Sequence, residues 1–112
     1  MKDYSNAIEE LRSYDAKDEV SGSIVYGAIG DANMELKNLD EAISYYQKAC
    51  SENPNNFTTP IMLFKLAIDQ ESKGNFKEAK EVYLRLKKNY SNSTEGAQAD
   101  KYIARLEAMI SK

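Results

Sequence analysis

Residues Lys37-Asn38-Leu39-Asp40-Glu41-Ala42-Ile43-Ser44-Tyr45-Tyr46 read like Gly74-Asn75-Phe76-Lys77-Glu78-Ala79-Lys80-Glu81-Val82-Tyr83, and in part like Lys2-Asp3-Tyr4-Ser5-Asn6-Ala7-Ile8-Glu9-Glu10-Leu11. Each copy has a polar residue, Asn or Asp, a bulky apolar residue, two polar residues and Ala. Three further residues lead to an aromatic or Leu. Ala7 and Ala42 are 35 residues apart, and Ala42 and Ala79 are 37 apart. Alanine and a large residue four positions on share one face of a helix, so each copy marks a helix with a small residue beside a large one.

Outward from these copies, apolar spacing of three and four residues predicts about six helices and no strands. The first covers about Tyr4 to Tyr14, on Tyr4, Ile8, Leu11 and Tyr14. The second runs from about Val20 to Lys37, with Gly27, Ala28, Gly30 and Ala32 among its bulkier residues. The third spans Asp40 to Ser51 and ends before the break Asn53-Pro54-Asn55-Asn56. The fourth starts near Thr59-Pro60, where proline suits the first turn, and reaches Lys73, with Gly74-Asn75 as its C-terminal cap. The fifth covers Phe76 to Asn89. The sixth runs from Thr94 to Ile110, with Ser93 or Thr94 as its cap.

A period near 34 residues built from two helices is the pattern of tetratricopeptide repeats, and the sequence resembles that family. One repeat, from about Ser23 to Asn56, matches at Tyr26, Ile29, Gly30, Ala42, Tyr46, Ala49 and Pro54. A second, from about Pro60 to Ser93, matches at Leu63, Leu66, Ala67, Gly74, Ala79 and Tyr83. Asn33 and Gln70 stand where an aromatic is usual, Leu86 where a small residue is usual, and Ser91 where the repeat normally closes on proline. The resemblance implies an all-α fold, an α-α superhelix of antiparallel helix pairs. The expected organisation is one repeat domain over residues 1–112. It comprises a half-repeat at 1–18, repeats at 19–56 and 57–93, and a capping helix at 94–112.

More narrowly, Gly27-Ala28-Ile29-Gly30-Asp31-Ala32, Asn56-Phe57-Thr58-Thr59-Pro60 and Asn92-Ser93-Thr94-Glu95-Gly96 resemble the C-terminal half of tetratricopeptide repeat proteins of Bacteroides-like bacteria. Relatives of that kind often carry an N-terminal membrane anchor, which implies a scaffold tethered in a longer protein. The chain starts at the loop before the second helix of a repeat, so a truncated start is expected. Part of the Tyr4, Ile8, Leu11 face is then expected to be exposed and to drive self-association through the N-terminal helix.

Composition narrows the chemistry. With 15 basic and 18 acidic residues the formal charge is −3. The one basic cluster, Arg85, Lys87 and Lys88, fits a solvated helix C-terminus, so no nucleic-acid partner is expected. The longest apolar stretch, Ile24–Ile29, is far short of a membrane span. The sequence has no histidine and one cysteine, Cys50. That leaves no histidine general base, no Ser-His or Cys-His pair and no intrachain disulfide. No glycine-rich phosphate loop occurs, and the adjacent carboxylates Glu9-Glu10, Asp18-Glu19 and Asp40-Glu41 diverge on a helix. Neither enzymatic activity nor a cofactor or metal is expected.

In the family, the first helix of each repeat lines a concave groove. Carried over, the groove positions are Ile24, Gly27, Asp31, Met34 and Glu35, then Ile61, Phe64, Lys65, Ile68 and Glu71. Gly27 and Asp31 stand at two places where relatives carry the Lys and Asn that clamp a peptide's terminal carboxylate, so that mode of binding is disfavoured. The mainly apolar set suits an amphipathic helix or an extended peptide. Ile24, Ile61 and Phe64 could equally pack against neighbouring helices. Two functions therefore stand: a protein-binding scaffold, and a structural module that assembles with its own copies.

Overall fold

The computed structural model of the chain describes residues 4–6, 8, 19–52 and 54–111. Six helices carry most of them: α1 (Glu19–Glu35), α2 (Leu39–Ser51), α3 (Thr59–Ser72), α4 (Phe76–Asn89), the single turn α5 (Thr94–Ala97) and α6 (Ala99–Ile110). Tyr4–Asn6 and Ile8 are helical as well, and no described residue is in a strand. The remainder of the expected first helix, Leu11 and Tyr14 included, lies outside the described residues. The chain divides into two compact units, Met1–Pro54 and Asn55–Lys112, within the break that the prolyl-asparagine stretch announces.

In the first unit α1 packs along α2. The small residues Ala42 and Ala49 of α2 are fully buried, and Tyr46 between them is 2% exposed. Ser23 of α1 donates its hydroxyl to the carbonyl of Ala49 at 2.8 Å, a buried bond tying the start of α1 to the end of α2. Ile8 is buried against Ile29 and Ala32, with Tyr4, Val25 and Tyr45 around it. Of the N-terminal face expected to be exposed, Ile8 is therefore covered within the chain. The aromatic position of the family is filled by buried Asn33, whose amide donates to the carbonyl of Ile29, one turn back, at 2.9 Å.

In the second unit α3 packs on α4, and α4 packs on α6. Leu63, Ala67, Ala79, Tyr83, Leu86, Ala99 and Leu106 have no exposed surface, so Leu86 fills its place with bulk where the family uses a small residue. The turn into α3 is organised by Asn55. Its carboxamide oxygen accepts from the backbone N–H of Phe57 and Thr58 at 2.8 and 2.7 Å, and its own N–H donates to the Thr59 hydroxyl. Buried Gln70 accepts from the Asn75 amide at 2.8 Å, again where an aromatic is usual.

Both hairpins turn in the same way. After α1, Asn38 N–H donates to Asn33 O and Lys37 N–H to Met34 O; after α3, Asn75 N–H donates to Gln70 O and Gly74 N–H to Glu71 O. These paired bonds form a Schellman cap, which requires a left-handed residue just past the helix. Gly74 supplies it at φ 85°, and Lys37 adopts it at φ 62° despite its side chain. The following helices begin with Asp40 and Glu41, or Glu78, and end with Lys48, or Lys87 and Lys88, complementing the helix dipole.

The expected helix from Thr94 to Ile110 is interrupted at Gln98. Ser93 caps the single turn α5 by accepting from Gly96 N–H at 2.9 Å, while its hydroxyl donates to Tyr90 O at 2.6 Å. A Cβ on Gly96 would lie 1.9 Å from that Tyr90 oxygen, so the chain closes this turn only because position 96 has no side chain.

Candidate functional site

The residues singled out on α1 belong to the first unit. Ile24 is 54% exposed, Asp31 and Glu35 are exposed, Met34 is half-buried and Gly27 is buried. Asp31 accepts the Tyr46 hydroxyl, so this carboxylate helps to hold the core tyrosine of its own hairpin. Beside it, Tyr26 and Tyr45 pack with ring centroids 6.2 Å apart, and the Lys48 ammonium lies 4.8 Å from the Tyr45 centroid.

On α3, in the second unit, Ile61 and Ile68 are 42% and 41% exposed. They stand seven residues apart, two helical turns, and so lie on one face with Lys65 between them. Phe64, Lys65 and Glu71 are half-buried. Phe64 meets Tyr83 of α4 and Tyr102 of α6 edge-on, at centroid distances of 6.1 and 5.4 Å. Tyr83 and Tyr102 stack at 5.1 Å with their planes 12° apart. Arg105 of α6 donates to both carboxylate oxygens of Glu71 at 2.6 and 2.7 Å and lies 5.4 Å from the Tyr102 ring centre. Lys101 stands over the same ring at 4.9 Å.

These contacts divide the α3 positions by role. Phe64 and Glu71 hold α3 to its neighbours, while Ile61 and Ile68 keep a large share of their surface open. The Tyr83 hydroxyl is buried and makes no hydrogen bond of normal length. Burial first, and then the negative charge of Glu71, push this phenol well above the ordinary tyrosine range.

Lys101, Tyr102 and Arg105 frame the α3 face, yet carry-over from the repeat pattern does not reach them. Their signal is nonetheless in the sequence: Tyr102 and Arg105 stand three residues apart, on one face of the expected C-terminal helix.

Among the described residues no group of three His, Cys, Asp or Glu side chains is placed to hold a metal, and no helix is long and apolar enough to cross a membrane. Cys50 is buried and in no disulfide. The basic cluster Arg85, Lys87 and Lys88 is exposed on α4, and Lys87 pairs with Asp100 at 2.8 Å.

Residues 24–56 match the tetratricopeptide repeat family, and residues 62–93 match it a second time. No curated protein matches the chain.

Proposed function

Because the chain belongs to the tetratricopeptide repeat family, whose repeats mediate protein–protein interaction and scaffolding, we propose that it is a protein-binding module that takes an amphipathic helix or an extended peptide on the exposed face of α3 in the second unit and has no catalytic activity of its own. The observation that carries this reading is the open pair Ile61 and Ile68 on α3, held in place by the contacts of Phe64 and Glu71 beneath. Preorganised apolar side chains on rigid helices lose little entropy on binding, which is what a peptide-binding surface needs. In the first unit, Ile24, Met34 and the carboxylates of Asp31 and Glu35 give α1 a candidate face of its own. The narrower likeness to repeat proteins of Bacteroides-like bacteria makes a membrane-tethered scaffold the setting we propose.

The test is a pull-down with the full-length gene product from its own cells, followed by affinity measurements on the recovered partner. Ile68→Asp alters a side chain that is 41% exposed and is expected to weaken binding by about tenfold or more, the loss of an apolar contact worth over about 1.4 kcal/mol. Phe64→Ala is the poorer probe, because it also removes two aromatic contacts inside the second unit. Unchanged affinity of Ile68→Asp with helical content intact removes the reading. The rival, a module that assembles through its own copies, draws on the exposure of Ile24. It predicts a mass in light scattering that grows with concentration and falls back in an Ile24→Asp variant.

A further inference from the structure

We propose that the second unit carries a binding site for a neutral sugar, in the cavity between the turn that leads into α3 and the turn that joins α4 to α5. The site uses other residues than the open face of α3 and does not rest on the peptide-binding reading.

The cavity measures about 320 Å³ and is lined by Asn56, Asn89, Tyr90, Ser91, Asn92 and Ser93. That volume stands at the small end of ligand pockets, suited to a mono- or disaccharide rather than to a helix or a long peptide. Asn56 comes from the turn before α3. The other five come from the end of α4 and the turn beyond it, 33 to 37 residues further along the chain. Folding of the second unit brings the two turns together around one space.

The chemistry of the lining points to the ligand. All six described lining residues are uncharged. Three are asparagines, and each carboxamide offers two donors and an acceptor. Asn56, Asn89 and Asn92 are all exposed, and among the described residues their carboxamides make no hydrogen bond. Asn33, Asn55 and Asn75 differ, because their carboxamides are engaged in holding the fold. The three at the cavity hold nothing within the chain. Sugar hydroxyls also donate and accept at once, so neighbouring hydroxyls match such carboxamides in pairs. Phosphate and carboxylate ligands are held best by charged donors, and this lining supplies none. Tyr90, half-buried in the wall, brings an aromatic ring of the kind that packs against the C–H face of a sugar.

The walls are fixed before any ligand arrives. Asn55 holds the turn that carries Asn56, and buried Thr59 and Pro60 anchor it. On the other side Ser93 bonds to Tyr90 O and to Gly96 N–H. A preformed site loses little freedom on binding. Each hydrogen bond replaces one to water and adds little, so a dissociation constant on the order of 1 mM is expected.

The experiment follows the carboxamide and backbone amide resonances of the isotopically labelled whole chain. Glucose, galactose, mannose and N-acetylglucosamine are titrated separately, with glycerol, inorganic phosphate and triglycine as controls. At least one sugar is expected to give saturable shifts at Asn56 and at residues 89–93, with Ile61–Ile68 unmoved. Its affinity should fall about tenfold in the double variant Asn89→Ala with Asn92→Ala. Circular dichroism checks that the helices persist; Asn56→Ala, in the facing turn and with a smaller expected loss, replaces the pair if they do not. The proposal is overturned if no sugar saturates the site, if glycerol moves the same resonances as strongly, or if the variants bind the sugar unchanged. Tighter saturation by phosphate or triglycine than by every sugar assigns the cavity to an anion or to a peptide main chain, and overturns it equally.

Discussion

The hairpin of α1 and α2 and the hairpin of α3 and α4 run on one register, 37 residues apart, and each closes on a buried tyrosine, Tyr46 in the first and Tyr83 in the second. The first satisfies its tyrosine within the pair. The Tyr46 ring lies against the bare backbone of Gly30, and its hydroxyl donates to Asp31 of α1. The second has Ala67 at the position of Gly30, and its tyrosine stacks on a third helix through Tyr102 while the hydroxyl makes no hydrogen bond of normal length. The first hairpin is thus closed by a small residue and a hydrogen bond. The second is closed by an aromatic stack that recruits α6. The stack that fills the second core also places Tyr102, Lys101 and Arg105 beside the open face of α3.

The largest expected effect lies at the small residues. A Cβ on Gly30 would stand 2.6 Å from a ring carbon of Tyr46. Gly30→Ala should therefore destabilise the chain by about 2–3 kcal/mol through overpacking, although alanine is the better helix former. Ala67→Gly should cost only about 1 kcal/mol, the ordinary helical penalty. Urea denaturation of the two variants checks this, and a tolerated Gly30→Ala would break the contrast between the hairpins.

The two Schellman caps give the next effect. Gly74→Ala puts a Cβ into the left-handed region and is expected to cost about 1–2 kcal/mol. Lys37→Gly relieves the same strain at φ 62° and should raise stability by about 0.5–1 kcal/mol. A thermal melt in which both substitutions shift the midpoint in the same direction would show that the two turns are not equivalent.

The hydroxyls give the smallest effect. Tyr46→Phe removes a hydrogen bond to a carboxylate that is itself exposed, so a loss of about 1 kcal/mol is expected. Tyr83→Phe removes a buried hydroxyl that makes no hydrogen bond of normal length, and should change stability by less than about 0.5 kcal/mol at neutral pH. In alkali Tyr83 becomes a liability. The folded-state phenol of Tyr83 ionises above the ordinary value of about 10, so the unfolded chain releases its proton first and stability falls as pH rises past that value. Tyr83→Phe should flatten this alkaline decline; denaturation midpoints between neutral pH and strong alkali, compared with the unaltered chain, read the difference.

Much of the fold was legible because its signals are local. Pro60 marks the start of α3, Gly74-Asn75 its end, and the pairs Ala42 with Tyr46 and Ala79 with Tyr83 declare both the helices and their period. The break at Gln98 was not legible, since it depends on Gly96 passing under the Tyr90 carbonyl, a contact made by the folded turn. The cap at Lys37 was hidden by a residue that rarely takes positive φ. At the candidate site, spacing identified Ile61 and Ile68 on one face of α3. Spacing within α3 could not reveal that Phe64 and Glu71 are held by Tyr102 and Arg105, because those partners lie 38 and 34 residues further along the chain.

The most direct test is where a peptide binds. Amide chemical-shift mapping of the isotopically labelled chain, titrated with a peptide from the recovered partner, locates the contact residue by residue. The predicted result is that the largest shifts fall on α3 between Ile61 and Ile68 and on α6 around Lys101 and Arg105. Shifts confined to the exposed side of α4, around Arg85 and Lys88, with α3 and α6 unmoved, would contradict it.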